Sequence, residues 1–157
     1  MKRILVLATV FMAVLVSCKN EDDELSPGQA VLGKYQLTEK DFSEELDFVR
    51  IIELKPGQKV VYQTTVREKG GSEDLGFVNY FEGDFTLEND VLNLNFTKTF
   101  SLTDPDISYV PKNELPEIER DYEFADRYAV SDDYEELFYV CPPNAFCAPP
   151  KPFEKIN

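Results

Sequence analysis

Hydrophobic and polar residues alternate with a period of two along most of this chain, and no long apolar stripe of period 3.6 appears. Residues 33–38 open the pattern, with Tyr35 and Leu37 on one face. A short polar stretch with Phe42 reads as one helical turn, and residues 46–54 form the second strand. Lys55-Pro56-Gly57-Gln58 is a turn, with Pro and Gly at its centre. Residues 59–67 follow, with Val60, Tyr62, Thr64 and Val66 opposite Val61, Gln63 and Thr65. Residues 77–87 carry Gly83, a bulge signal, and Glu88-Asn89-Asp90 turns the chain. In residues 91–100, Leu92, Leu94 and Phe96 share one face and Asn93, Asn95 and Thr97 the other. Residues 102–119 hold Pro105, Pro111 and Pro116 and form the longest irregular stretch, a place where function often resides. Strands at 121–130, 134–141 and 153–156 complete a set of eight. Eight strands on short turns predict an all-β, antiparallel, up-and-down barrel, since closure removes both sheet edges.

The first residues break this pattern. Met1-Lys2-Arg3 is basic, residues 4–16 are apolar, and Leu15-Val16-Ser17-Cys18 closes the run. That order is a secretory signal peptide, and its apolar run is shorter than the roughly 20 residues a membrane span requires. With cysteine at the cleavage position it resembles a bacterial lipoprotein signal. The resemblance implies removal of residues 1–17 and a diacylglyceryl group with palmitate-type acyl chains on Cys18. Two or more such chains hold a protein stably on a bilayer. Residues 18–30 are an acidic tether whose composition predicts flexibility, leaving residues 31–157 as one barrel domain. The acidic cluster after Cys18 also resembles the surface-export signal of Bacteroidota lipoproteins. It implies an outer-membrane anchor exposed at the cell surface, with a periplasm-facing position as the alternative.

Composition narrows the chemistry. The formal net charge of −14 argues against nucleic acid as a partner and against docking on anionic lipid without the anchor. Twelve Phe and eight Tyr are enough for a core, and the absence of His removes the commonest general base and transition-metal ligand. Cys141 and Cys147 flank a proline-stiffened loop and read as a structural disulfide in an exported protein. A redox pair and free thiols are the alternatives. Asp104-Pro105-Asp106 and Asp132-Asp133 have oxygen ligands for calcium, yet both sit where turn residues belong, so no metal and no cofactor is expected. Without His the usual nucleophile triads are missing, and the protein reads as a non-enzyme.

Leu32-Gly33-Lys34-Tyr35-Gln36-Leu37 resembles the Gly-x-Trp segment that opens lipocalin-like domains, here with Tyr35 as the aromatic. Similar hairpins at 83–94 and 128–139, a late cysteine pair and a final Phe-x-Lys-Ile strand complete a resemblance to small lipocalin-like lipoproteins of Bacteroidota over residues 31–156. In that family a basic residue of the last strand packs over the motif aromatic, which points to Lys155. Tyr62, Phe81, Phe96, Tyr122 and Phe124 are the candidates for a barrel cavity that takes a small apolar or amphipathic ligand. If they only fill the core, the alternative is a packed barrel that binds an envelope protein through its loops, with Tyr109 and Phe146 as anchors.

Overall fold

A computed structural model describes residues 25–39, 43–119, 124–149 and 151–156, with Phe124 described by its backbone alone. Eight antiparallel strands follow one another in sequence order around a closed barrel. They are β1 (Gly33–Glu39), β2 (Leu46–Lys55), β3 (Lys59–Glu68), β4 (Asp74–Glu88), β5 (Val91–Ser101), β6 (Phe124–Val130), β7 (Glu136–Tyr139) and β8 (Phe153–Ile156). This is the all-β, up-and-down, eight-stranded architecture that the alternation predicts. Cys18, the Phe42 turn and Tyr122 lie outside the described residues.

The turns follow from residues that tolerate positive φ. Gly57 and Gln58 turn β2 into β3 with φ of 76° and 60°. Asn89 and Asp90, with φ of 49° and 60°, make the two-residue link between β4 and β5, the conformation that matches strand twist. Strand ends differ from the periodicity most in β4 and β7, the latter stopping at Tyr139, short of Cys141. β4 begins at Asp74 because its carboxylate accepts from Thr65 Oγ1 at 2.9 Å and Arg67 Nε at 2.6 Å, which extends pairing past Gly76. β7 begins at Glu136 because Tyr134 takes a φ of 61° and belongs to the turn.

Ser26–Ala30, read from sequence as the end of the tether, form part of the domain. Pro27–Ala30 make a single helical turn, α1, and Val31 after it is fully buried at one end of the barrel. Proline at the first helical position has the φ this turn requires and no N–H to leave unpaired.

That end is closed by a clasp between the first and last strands. Tyr35 of β1 lies opposite Lys155 of β8 in the ladder. Lys155 Nζ stands 5.4 Å from the centroid of the Tyr35 ring and donates to the Ala30 carbonyl at 2.7 Å. The Tyr35 hydroxyl points at the carbonyls of Val31 and Tyr134, each at 2.9 Å, and shares its one proton between them. Gly33 has a φ of 140°, and a Cβ there would stand 2.9 Å from Lys155 Cε. The Gly-x-aromatic segment is therefore the seat on which the last strand closes.

Inside the barrel, Ile52, Leu54, Val60, Phe85, Leu92, Leu94, Val130 and Leu137 pack around Tyr35 to fill the clasped half. A second, smaller cluster lies on the outside. The long stretch after β5 is strapped across the sheet, with an antiparallel bridge from Phe77 to Val110 and another from Phe100 to Glu117. Its Leu115 packs with Val61 and Tyr80, so Val61 is buried although it points away from the bore. Prolines keep this strap from becoming a ninth strand.

The register of β4 against β5 shifts between Glu82 and Gly83, the bulge that the glycine predicts. A Cβ at Gly83 would overlap the backbone carbonyl oxygen of Asn95. Gly83→Ala is expected to destabilise the barrel by about 3 kcal/mol through this overlap, and urea denaturation of the two proteins measures it.

Candidate functional site

The half of the barrel opposite the clasp is not filled. A cavity of about 590 Å³ opens there and runs into the bore between β1, β2, β3, β6, β7 and β8. Its size lies within the range of small-molecule sites. A depression of about 650 Å³ at the clasped end, between α1 and the β2–β3 and β4–β5 turns, has Asp90 as its one charged neighbour among the described residues. The mouth cavity differs in its chemistry.

Its apolar wall is aromatic. Tyr128 meets Tyr139 edge-on at 5.6 Å and Phe153 at 5.7 Å. Tyr62 stacks on Phe81 at 5.5 Å and meets the edge of Phe96 at 6.1 Å. The structure thus gathers Tyr62, Phe81 and Phe96 as the sequence predicts, but divides their work. Tyr62 borders the cavity, while Phe81 and Phe96 are buried behind it in the core. Expected as cavity residues, those two are floor supports: they stand on the paired strands β4 and β5 with their rings packed at 5.5 Å. Phe124 pairs with Phe96 through the backbone; its side chain lies outside the described residues, as does Tyr122.

The rim is charged. Glu39, Arg50 and Asp126 border the cavity with Leu37, and Lys151 joins them from the segment before β8. Arg50 Nη2 donates to Glu39 Oε2 at 3.1 Å, and both side chains are a little over one-third exposed. These residues were not singled out from the sequence. Their signal is present there all the same: Arg50 stands in the register of Ile52 and Leu54, Glu39 in that of Tyr35 and Leu37, and Asp126 in that of Tyr128 and Val130. A charge at an inward position of a small barrel is costly unless it is paired or serves a ligand.

Burial pushes the Tyr128 phenol well above its ordinary value, and the Asp126 carboxylate raises it further while Arg50 opposes. Tyr62 is raised by burial too, against the lowering pull of Arg50 and of its hydrogen bond with Thr64. Tyr35 is raised by burial and then by Glu135. At neutral pH all three remain phenols, able to donate a hydrogen bond.

Cys141 and Cys147 are joined in a disulfide. The bond holds Cys147, which with Ala148, Pro149 and Lys151 forms one side of the cavity mouth. Phe146, beside it, is fully exposed, and Tyr109 on the strap is at the edge of exposure. The acidic pairs act as turn caps. Asp104 Oδ1 accepts from the Asp106 N–H at 3.0 Å, and Asp133 Oδ1 accepts from Ser131 Oγ at 2.6 Å. The Ser131 bond, followed by one from the Glu135 N–H, lowers the Asp133 carboxyl below its ordinary value.

Comparison with known proteins finds no matching family model, no matching curated protein and no matching solved structure. The site is therefore read from its own residues.

Two expectations follow. A phenol whose folded-state value lies above the ordinary 10.0 contributes stability that is complete below that pH and is lost as pH rises beyond it. The urea midpoint should therefore show no loss from Tyr35, Tyr62 and Tyr128 up to about pH 10 and fall above it. Tyrosinate absorbance should lag behind the full complement until the chain unfolds. The second concerns the disulfide. Reducing the disulfide, or replacing Cys141 and Cys147 by Ser, is expected to lower stability by about 2 kcal/mol, read from denaturation of the oxidised and reduced forms.

Proposed function

We propose that this protein is a non-enzymatic lipoprotein, tethered to the outer membrane through Cys18 with its barrel at the cell surface, that holds one small amphipathic molecule in the barrel mouth. The anchor reading is supported by the basic start, the apolar run and the Leu-x-Ser-Cys ending of residues 1–18. The binding reading is carried by one observation, a mouth cavity whose wall is aromatic and whose rim is charged. Such a division suits a ligand with an apolar body and a polar head, and a pocket of a few placed polar groups on an apolar surface is the usual form of a small-molecule site. The lipocalin-like order of segments favours the same reading, although fold alone confers no activity. The full exposure of Phe146 on its disulfide-closed loop favours a second reading, docking on an envelope protein.

The uncharged fluorophore phenylnaphthylamine tests the cavity. One molecule should bind per chain with enhanced emission, and Leu37→Trp, which fills the mouth, should weaken it by at least about tenfold. Native mass spectrometry of protein from its own host should reveal an adduct that denaturation releases. A clean apoprotein mass, even after exposure to host lipid extract, together with no fluorophore binding, would sink the carrier reading and leave the partner reading in front.

A further inference from the structure

The charges on the cavity rim are unequally engaged, and this selects a ligand head. Glu39, Arg50, Asp126 and Lys151 sum to zero. Glu39 is held by Arg50 at 3.1 Å, and Asp126 has an interaction of its own. Lys151 makes no hydrogen bond or ion pair among the described residues and is exposed at the mouth. A guanidinium carries five N–H donors in a planar fork, and among the described residues Glu39 is the one side-chain acceptor on that of Arg50. Positive charge and donors thus remain open on the rim.

We infer that the cavity takes an amphiphile with a singly charged anionic head of the carboxylate kind, bound between Arg50 and Lys151, with its apolar body on Tyr62, Tyr128 and Phe153. This rests on the cavity reading above and names the ligand class for it. An anionic head adds an acceptor to a fork with room for one, and no ion pair has to break. A cationic head would have to compete with Arg50 for Glu39, whereas an anionic head leaves that pair in place. A planar carboxylate also matches the guanidinium in a two-bond geometry that an alcohol or an amine lacks. The phenols of Tyr62 and Tyr128, protonated at neutral pH, add donors beside the head and no negative charge.

The eight strands lie between Gly33 and Ile156 and α1 begins at Pro27, so the chain from Lys19 onward, which keeps both, is the test protein, with circular dichroism to check its fold. Decanoate, decanol and decylammonium share one tail and differ in the head. Calorimetry at neutral pH should rank decanoate about tenfold above decanol, with decylammonium weakest. Arg50→Gln should reduce the decanoate-to-decanol ratio about tenfold, Lys151→Gln should reduce it less, and Arg50→Lys should restore part of it. The ratio is taken on the same sample, so a general loosening of the barrel does not move it. Equal affinities in the parent protein, a ratio unmoved by Arg50→Gln, or tightest binding of decylammonium would overturn the assignment while leaving a cavity that binds. No binding of any of the three would overturn the cavity reading with it.

Discussion

Closure of the first strand on the last is the constraint on which the other features depend. β8 is only four residues long and pairs with β1 at three positions, so backbone hydrogen bonds alone hold it weakly. The clasp adds what the short ladder lacks. Lys155 ties β8 to the end of α1 and to the face of Tyr35, and the Tyr35 hydroxyl ties β1 to the carbonyls of Val31 and Tyr134. Each of these groups is a donor meeting a backbone carbonyl, and at the fully buried Val31 an orphaned carbonyl would cost more than a made bond gains. Gly33 is the condition for the contact, since only a residue without Cβ lets the lysine stem lie so close.

From that closure the barrel divides into two halves with different chemistry. Near the clasp, aliphatic residues and Phe85 fill the bore around Tyr35. At the other end the inward positions change to Leu37, Glu39, Arg50, Tyr62, Asp126 and Tyr128, and the space is left open. A small eight-stranded barrel has room either for side chains or for one small ligand, and this one divides its length between the two. The packed half supports the aromatic floor through Phe81 and Phe96, so the site stands on rigid elements. The disulfide acts at the opposite side, where it ties Cys147 at the mouth back to Cys141, two residues after the end of β7.

The outer strap shows how a long loop becomes structure. Its prolines interrupt any ladder, yet its apolar residues, Val110 and Leu115 among them, lie on β3, β4 and β5 and bury Val61 and Tyr80. Gly76 makes the crossing possible, because a Cβ there would stand 2.6 Å from the Tyr109 ring and 2.8 Å from the Val110 carbonyl oxygen. Lys112 lies over the Tyr80 ring at 3.4 Å to its centroid and helps fix the strap's 3-10 turn, Lys112–Glu114. The segment that looked most open to functional use is in this way mostly committed to packing.

Most of the barrel was legible in the sequence because its signals are local. Alternation marks strands, and the Pro-Gly and Asn-Asp turns mark where they reverse, since φ preferences act on neighbouring residues. Gly83 announced its bulge, and the resemblance to lipocalin-like domains pointed to Lys155 as the cover for Tyr35. The site was less legible. Tyr62, Phe81 and Phe96 were found as inward aromatics, but which of them borders empty space depends on how the three rings pack on one another. Arg50, Glu39 and Asp126 stand on three different strands, and no local pattern brings them together. The sequence by itself determined the strands, their turns and their inward faces, because backbone conformation and burial of alternate side chains are properties of short segments. Only the tertiary structure decided that Arg50 meets Glu39, that the strap lies outside the sheet and that the mouth stays open, because these depend on which strands closure and register bring side by side.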